Sequence, residues 1–177
     1  PARGAPGGGG APPWSVTVVQ GAKRDELSRR MLEHFDAGND GAQTYKKYSA
    51  RNTAQMQRGK DAYGYELYEV KHGLARDDKA GRRQKYRPNY EFWGAPVLLL
   101  LRLPGSAVAG TYVDLGAFMY SILIAMHGYG LGGKPLGSTA KYSDLAREVL
   151  GEGALPAGEH LVCGLCIGWP TGGRDPR

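Results

Sequence analysis

The chain has 177 residues, of which 41% are hydrophobic and 23% are charged. This is the composition of an ordinary globular protein, and the length fits one domain over 1–177. No uninterrupted apolar run approaches the roughly 18 residues that a membrane-spanning helix needs, so we expect a soluble protein with no membrane partner. With no visible leader, the cytoplasm is the default expectation for its location.

The first part of the chain predicts a loop, a strand and a helix. Residues 1–13 are almost entirely Pro, Gly and Ala, which is typical of a loop without its own core. A β-branched run predicts a strand over 15–19. A helix is predicted over 21–37 because three large apolar side chains share one face: Leu27, Met31 and Phe35.

The middle of the chain is strongly basic. The formal net charge of the whole chain is +6, and residues 43–87 hold twelve Lys and Arg against five Asp and Glu. We expect helix over 43–73 and a charged loop over 74–88. A basic surface attracts polyanions such as nucleic acid. A solvated helical surface explains the same pattern, since several tyrosines and aliphatic residues are interleaved among the charges and some of them should pack.

The second part of the chain predicts two strands around a long apolar helix. An apolar run over 95–103 is typical of a buried strand. The helix predicted over 112–131 leads into a glycine-rich loop at 132–138, followed by a helix over 142–150 and a strand over 161–169. One continuous core face is expected on the long helix from Leu115, Phe118, Met119, Ile122, Leu123 and Met126. This order of elements predicts an α+β layered domain with few strands and helices on both faces.

Two glycine motifs at the end of the long helix do not predict a nucleotide site. Residues 128–133 fit G-x-G-x-x-G, but they close a helix, whereas a dinucleotide fingerprint opens one. With Lys134 included, the segment resembles a P-loop, but Pro135 occupies the position where a Ser or Thr hydroxyl should bind magnesium. A glycine-rich helix exit that lets the backbone approach a planar ligand is the better interpretation.

Cys163 and Cys166 form a Cys-x-x-Cys within a predicted strand. Residues three apart in a strand point to opposite faces, so we expect two small buried hydrophobic residues and no metal site. The four histidines have no spacing typical of metal ligands or of a nucleophile and its base. The sequence therefore offers no catalytic acid–base pair.

Four features of the chain occur in an order that is typical of one family. They are the strand entry after Pro12-Pro13-Trp14, the strand entry from Asn89 to Ala95-Pro96, the long helix and the final strand to Pro170. In that order they resemble the flavin-dependent nitroreductase family, in its branch resembling nitrobenzoate reductases. The resemblance implies a three-layer α-β-α fold with a small, mostly antiparallel sheet and an intertwined homodimer with FMN at its interface. It also implies ping-pong transfer of hydride from NADH or NADPH to a nitroaromatic, quinone or similar acceptor. The flavin carries this chemistry, so no catalytic side chain is expected.

The same resemblance implies the cofactor contacts. Pro6, Gly7, Gly10 and Trp14 align with the family pattern Ala-Pro-Ser-x-x-Asn-x-Gln-Pro-Trp, although glycines replace its Ser and Asn. Asn89 matches an Asn that contacts the flavin, while a family basic residue falls on Glu91. Four further contacts belong to the loop whose backbone approaches flavin N5: Pro135, Leu136, Gly137 and Ser138.

The family's phosphate-binding Arg and Lys segments precede and follow the part that this chain matches, so weak FMN binding is expected. Arg3, Arg174 and Arg177 are candidates to replace them. One alternative is a non-catalytic dimer of the same fold that acts as a binding or scaffold protein. The other is polyanion binding by residues 43–87, with phosphate contacts and stacking tyrosines.

Overall fold

A computed structural model describes residues 10–47 and 51–170. The chain divides into two compact units. Positions up to Tyr45 and from Asn89 onward form the first unit, and Lys46–Pro88 form the second. The expectation of a single domain over 1–177 stays a prediction.

The first unit is built on a four-stranded sheet. Its strands follow the spatial order β1-β2-β4-β3, and every neighbouring pair is antiparallel. The strands are β1 Ser15–Gln20, β2 Val97–Pro104, β3 Gly132–Leu136 and β4 Glu159–Gly168. The two apolar strands β2 and β4 lie in the centre, where both faces of the sheet can be covered. The predicted α+β fold with a small antiparallel sheet is confirmed.

One face of the sheet is covered by α1 (Gly21–Asp36) and α5 (Ser143–Leu150). The apolar face predicted for α1 is confirmed, since Leu27, Met31 and Phe35 are all buried. They share a core cluster with side chains of the sheet and of α5: Val19, Leu98, Leu100, Leu136, Leu145, Ala146 and Val149.

The long helix α4 (Ala109–Gly128) packs against β2 and β3. A second cluster forms there from Leu101, Leu103 and Leu115, with Trp14 stacked on Phe118 at 4.6 Å between ring centroids. The expectation that its whole apolar face belongs to the core is wrong. Only Leu115 and Met126 of α4 are buried. The small sheet covers one side of the helix, and the other residues of the predicted face are half-buried: Phe118, Met119, Ile122 and Leu123.

The same helix satisfies a length and composition criterion for a membrane span. Within the described residues, α4 contains an 18-residue window with a mean hydropathy of 1.4. Its apolar run is interrupted, and 11% of the window is buried. Core helices of globular proteins also satisfy this criterion. A single helix of this kind is therefore weak evidence for a membrane segment.

The glycine-rich segment after α4 is a strand and not the expected loop. β3 pairs with β4 from Gly132 opposite Gly168 to Leu136 opposite Gly164. A loop was expected because the segment is rich in glycine and follows a glycine helix stop. The structure accommodates Pro135 because β3 lies at the edge of the sheet, where a missing donor is tolerated.

The second unit is helical and largely exposed. Thr53 caps the start of α2 (Ala54–Gly64), because its side chain accepts a hydrogen bond from Met56 N. The helix continues into a π-helical turn over Tyr65–Val70. The expected packing is partial: Leu67 and Tyr68 are half-buried, whereas three other large side chains are exposed, namely Tyr63, Tyr65 and Val70.

The charged loop expected over 74–88 is wrong, because it contains the helix α3 (Lys79–Tyr86). The Asp78 side chain caps this helix by accepting a hydrogen bond from Gly81 N at 2.8 Å. Arg83 and Lys85 lie in the last turn, where positive charge is stabilising. Local capping and charge placement thus support a helix that has no apolar periodicity.

Candidate functional site

A strained turn precedes β2 in the first unit. Phe92 and Trp93 have φ values of 52° and 54°, a region that side chains other than glycine rarely adopt. Gly94 follows with a φ of 71°. The turn buries Phe92 completely and leaves Trp93 50% exposed. The backbone therefore places the Trp93 indole ring at the surface, while the neighbouring Phe92 ring lies in the core.

Arg24 of α1 holds this turn in place. Its Nε donates to the carbonyl of Ala95 at 3.0 Å, and Nη2 donates to the carbonyl of Glu91. The guanidinium also lies over the Phe92 ring, 5.2 Å from the centroid. One side chain thus bridges the two ends of the turn, which is the kind of support that a strained conformation requires to persist.

The exposed Trp93 ring forms one wall of a cavity of about 270 Å³. The cavity lies where β2 and β3 begin and β4 ends. None of the described residues that line it is acidic. Those residues are Trp93, Gly94, Ala95, Pro96, Gly132, Gly133, Lys134, Cys166, Gly168, Trp169 and Pro170.

Two contacts fix the Trp93 ring. Its Nε1 donates to Oδ1 of Asn89 at 3.1 Å. The ammonium nitrogen of Lys134 lies 3.3 Å from the ring centroid, close enough for a cation–π interaction. Across the cavity, Trp169 is 72% exposed. The cavity therefore combines two indole surfaces with one cation.

The segment predicted to contact the flavin, 135–138, follows Lys134 of this cavity wall and consists of the end of β3 and the turn after it. Pro135 is exposed, Leu136 is buried in the core, and Gly137 is half-buried. Ser138 is 6% exposed, and its Oγ has no hydrogen-bond partner among the described residues. A buried hydroxyl without a partner is costly, which marks this atom as one that a ligand or water would stabilise.

The other predicted cofactor residues are dispersed. Asn89 reaches the cavity through its hydrogen bond to Trp93. Trp14 instead stacks on Phe118 of α4, and Gly10 is exposed with a φ of 78°. Pro6 and Gly7 lie outside the described residues. The assignment of all these residues to FMN stays a prediction.

Sequence reasoning missed four residues that shape the cavity. Arg24 lies in a helix far from the turn in sequence, and no motif marks Trp93, Lys134 or Trp169 as a group. The adjacent aromatic residues before Gly94 are a local signal, but their positive φ values cannot be inferred from residue type.

The two cysteines are free thiols; Cys166 is buried, as predicted, whereas Cys163 is only half-buried. Cys166 lines the cavity and its Sγ donates to the carbonyl of Lys134 at 3.5 Å. Burial raises the pKa of the Cys166 thiol above its usual range, so it stays protonated at neutral pH. Across the part of the chain that the structure describes, no group of three or more His, Cys, Asp or Glu residues could hold a metal ion.

Characterised proteins resemble this chain along nearly its whole length. It is 28% identical to a 4-nitrobenzoate reductase of Pseudomonas putida, covering 95% of this chain and 71% of that protein. It is also 28% identical to nitroreductase NfnB of Mycolicibacterium smegmatis, with 98% and 74% covered.

Solved structures show the same fold. The FMN-dependent nitroreductase NfnB from Mycobacterium smegmatis, solved in complex with NADPH, has a TM-score of 0.85 at 25% identity, with 96% of this chain and 74% of that chain covered. An FMN- and NADPH-dependent NfnB from sphigopyxis sp. strain HMH also gives 0.85, at 29% identity with 96% and 75% covered. Residues 2–169 match the sequence profile of the Nitroreductase family. The chain therefore belongs to the nitroreductase family.

Proposed function

We propose that this protein is an FMN-dependent oxidoreductase that uses NADH or NADPH to reduce a nitroaromatic acceptor. The observation that carries the proposal is a cavity, with no acidic side chain among its described lining residues, that adjoins residues 135–138 within a nitroreductase fold. The relatives named above are a 4-nitrobenzoate reductase and the nitroreductase NfnB, and both NfnB proteins of known structure are FMN-dependent. Reduction of quinones and a ping-pong order are further parts of the proposal.

Residues 135–138, at the end of β3 and in the turn after it, fit a flavin. The Ser138 hydroxyl is buried without a partner in the described residues and can donate to or accept from a ring heteroatom. The Asn89 amide accepts a hydrogen bond from Trp93 of the cavity wall. When bound, FMN supplies hydride acceptance from the nicotinamide and electron transfer to the acceptor. Ser138 would orient the ring, and the described residues of the neighbouring cavity present two indole surfaces and no acidic side chain.

The α4 surface supports a homodimer. Three large apolar side chains of this helix project into solvent, with exposed fractions of 71% for Val113, 65% for Tyr120 and 60% for Ile124. Exposing such a surface is unfavourable for a monomer, and a contiguous apolar patch marks an interaction site. A second copy of the chain would cover this face.

We expect the Ile124→Glu variant to weaken dimer formation strongly, because it places a charge within the apolar interface. Sedimentation velocity of the wild type and the variant at micromolar concentration would measure the change. Glu33→Gln on the exposed surface of α1 is a suitable control. A wild-type protein that is monomeric throughout this range would refute the dimer.

Cofactor retention tests the main proposal. The purified chain is mixed with FMN, passed through a gel-filtration column and examined for flavin absorbance, which NADPH should then bleach under anaerobic conditions. We expect Ser138→Ala to lower FMN affinity by about tenfold, the effect of one lost hydrogen bond in a buried site. Ser106→Ala, at an exposed position outside the cavity, is the control.

Two results would favour other functions. A folded chain that retains no flavin would refute the oxidoreductase. Retained flavin that NADH and NADPH both fail to bleach would favour the alternative, a non-catalytic dimer of the same fold.

A further inference from the structure

We propose that the second unit carries a binding site for an anionic amino acid, a small ligand with one ammonium and two carboxylate groups, such as glutamate. The site is a cavity of about 270 Å³ within Lys46–Pro88, and it shares no lining residue with the cavity at Trp93. The inference follows from the second unit alone and goes beyond the proposed oxidoreductase function.

The cavity in the second unit is lined by charges of both signs. Among its described lining residues, Lys60, Arg76 and Arg82 are cationic, whereas Asp61 and Glu69 are acidic. Three positive charges against two negative ones leave a net charge of +1. A ligand with two carboxylates and one ammonium has the opposite net charge and offers each kind of side chain a group of opposite sign.

The ion pairs around the cavity are loose. Arg76 Nη2 lies 3.4 Å from Asp61 Oδ1, and Arg82 Nη2 lies 3.5 Å from Glu69 Oε1. Charge-assisted N–H···O bonds are usually about 2.7–2.9 Å long. Each carboxylate also has a second oxygen, and each guanidinium has further N–H groups. These pairs therefore retain donors for the carboxylates of a ligand and acceptors for its ammonium.

Arg82 is held in a fixed orientation beside the cavity. Its Nε donates to the carbonyl of Ala75 at 3.2 Å, and its guanidinium lies 4.7 Å from the centroid of the Tyr68 ring. The Arg82 side chain is only 24% exposed. A cation that is already immobilised loses little side-chain entropy when a ligand binds, which favours binding.

The backbone beside the cavity has an uncommon conformation. Tyr65 and Glu69 line the cavity from the π-helical turn Tyr65–Val70, in which Lys71 N donates to the carbonyl of Glu66, five residues earlier. Such turns are rare and are frequently found at functional sites. The turn therefore gives a second reason, independent of the charges, to regard this cavity as a binding site.

Gly64 keeps the cavity open at the end of α2. Its φ of −63° is ordinary for a helix, so the backbone does not require glycine here. Alanine would be a better helix former. An added Cβ would meet no atom within 4 Å, because this position faces open space. The missing side chain therefore leaves room for a ligand next to the charged groups.

Ligand-observed nuclear magnetic resonance titrations of the full chain test the proposal with three related molecules. L-glutamate carries all three charged groups, glutarate lacks the ammonium, and L-glutamine lacks the second carboxylate. Each of the two analogues loses a charge-assisted contact. We therefore expect L-glutamate to bind about tenfold more tightly than either analogue.

A matched pair of variants at Gly64 tests the location. Gly64→Leu fills the cavity and should weaken L-glutamate binding at least about tenfold. Gly64→Ala adds only one methyl group and should keep the affinity within about threefold. Both substitutions suit a helix, so the fold should be retained, and circular dichroism verifies it.

A second pair of variants tests the role of charge. Arg76→Met removes a cation of the cavity and should weaken L-glutamate binding about tenfold. Arg58→Met removes an exposed cation that does not line the cavity, and it should leave the affinity unchanged. Because both variants lower the net charge equally, the comparison separates a specific contact from the general attraction of a basic surface.

Three results would overturn the proposal. The first is a wild-type chain that does not bind L-glutamate at millimolar concentration. The second is glutarate or L-glutamine binding as tightly as L-glutamate, which would show that the ammonium or the second carboxylate is not recognised. The third is L-glutamate binding that survives Gly64→Leu, which would place the ligand elsewhere. Retention of FMN is measured separately and does not decide any of these outcomes.

Discussion

Replacing Glu159 by leucine is expected to lower the free energy of unfolding by about 3 kcal/mol, because the change leaves a buried guanidinium without its counter-charge. Arg102 of β2 forms an ion pair with Glu159 of β4, and the Arg102 side chain is only 9% exposed. Its Nε has no partner among the described residues. Glu159 therefore provides much of the charge compensation that the buried Arg102 guanidinium needs. Urea unfolding followed by circular dichroism measures the effect.

The double variant Arg102→Met/Glu159→Leu is the decisive control. It removes both charges, so we expect stability within about 1 kcal/mol of the wild type. Glu33→Leu breaks an exposed pair with Arg29 on α1 and should cost no more than about 1 kcal/mol. A Glu159→Leu variant as stable as Glu33→Leu would show that the buried pair contributes little.

Replacing Arg24 by alanine is expected to lower the free energy of unfolding by about 3 kcal/mol and to disturb the environment of Trp93. Two hydrogen bonds from a charged donor to the carbonyls of Glu91 and Ala95 are lost, each worth about 1.5–3 kcal/mol. The strained turn also loses its support. Urea unfolding reports the stability, and near-ultraviolet circular dichroism reports the packing of the indole.

The conservative variant Arg24→Lys tests whether the bidentate geometry matters. A lysine cannot bridge both carbonyls with the planar geometry of a guanidinium, so we expect an intermediate loss of stability. Arg29→Ala, on the exposed side of the same helix, should change stability by less than about 1 kcal/mol. If Arg24→Ala behaves like Arg29→Ala, the clamp has no energetic role.

Much of the fold could be predicted from the sequence because patterns of apolar residues encode it directly. The spacing of Leu27, Met31 and Phe35 predicted the buried side of α1, and the apolar run before Pro104 predicted a central strand. These residues are buried once another element of the fold covers one or both sides of the helix or strand, whichever element that is. Periodicity therefore identified the layers of the first unit.

The candidate site could not be predicted to the same extent. Its geometry depends on the positive φ values of Phe92 and Trp93, which residue preference disfavours and which the hydrogen bonds of Arg24 to the two ends of the turn support. The strand character of β3 depends on its pairing with β4, and it overrides the local signals of glycine and proline. Similarly, the burial of α4 was overestimated. A periodic apolar face predicts that the helix is covered, but the small sheet covers only one side of it.

The edge strand β3 has a consequence for self-association. An uncovered strand edge is a template on which a foreign strand can add and begin an aggregate. Pro135 has no N–H group for such pairing, and Lys134 brings a charge to the same edge, so β3 resists extension. The opposite edge, β1, has no proline within Ser15–Gln20, and its Val18 is 59% exposed. Any ordered aggregation of the sheet would therefore start at β1.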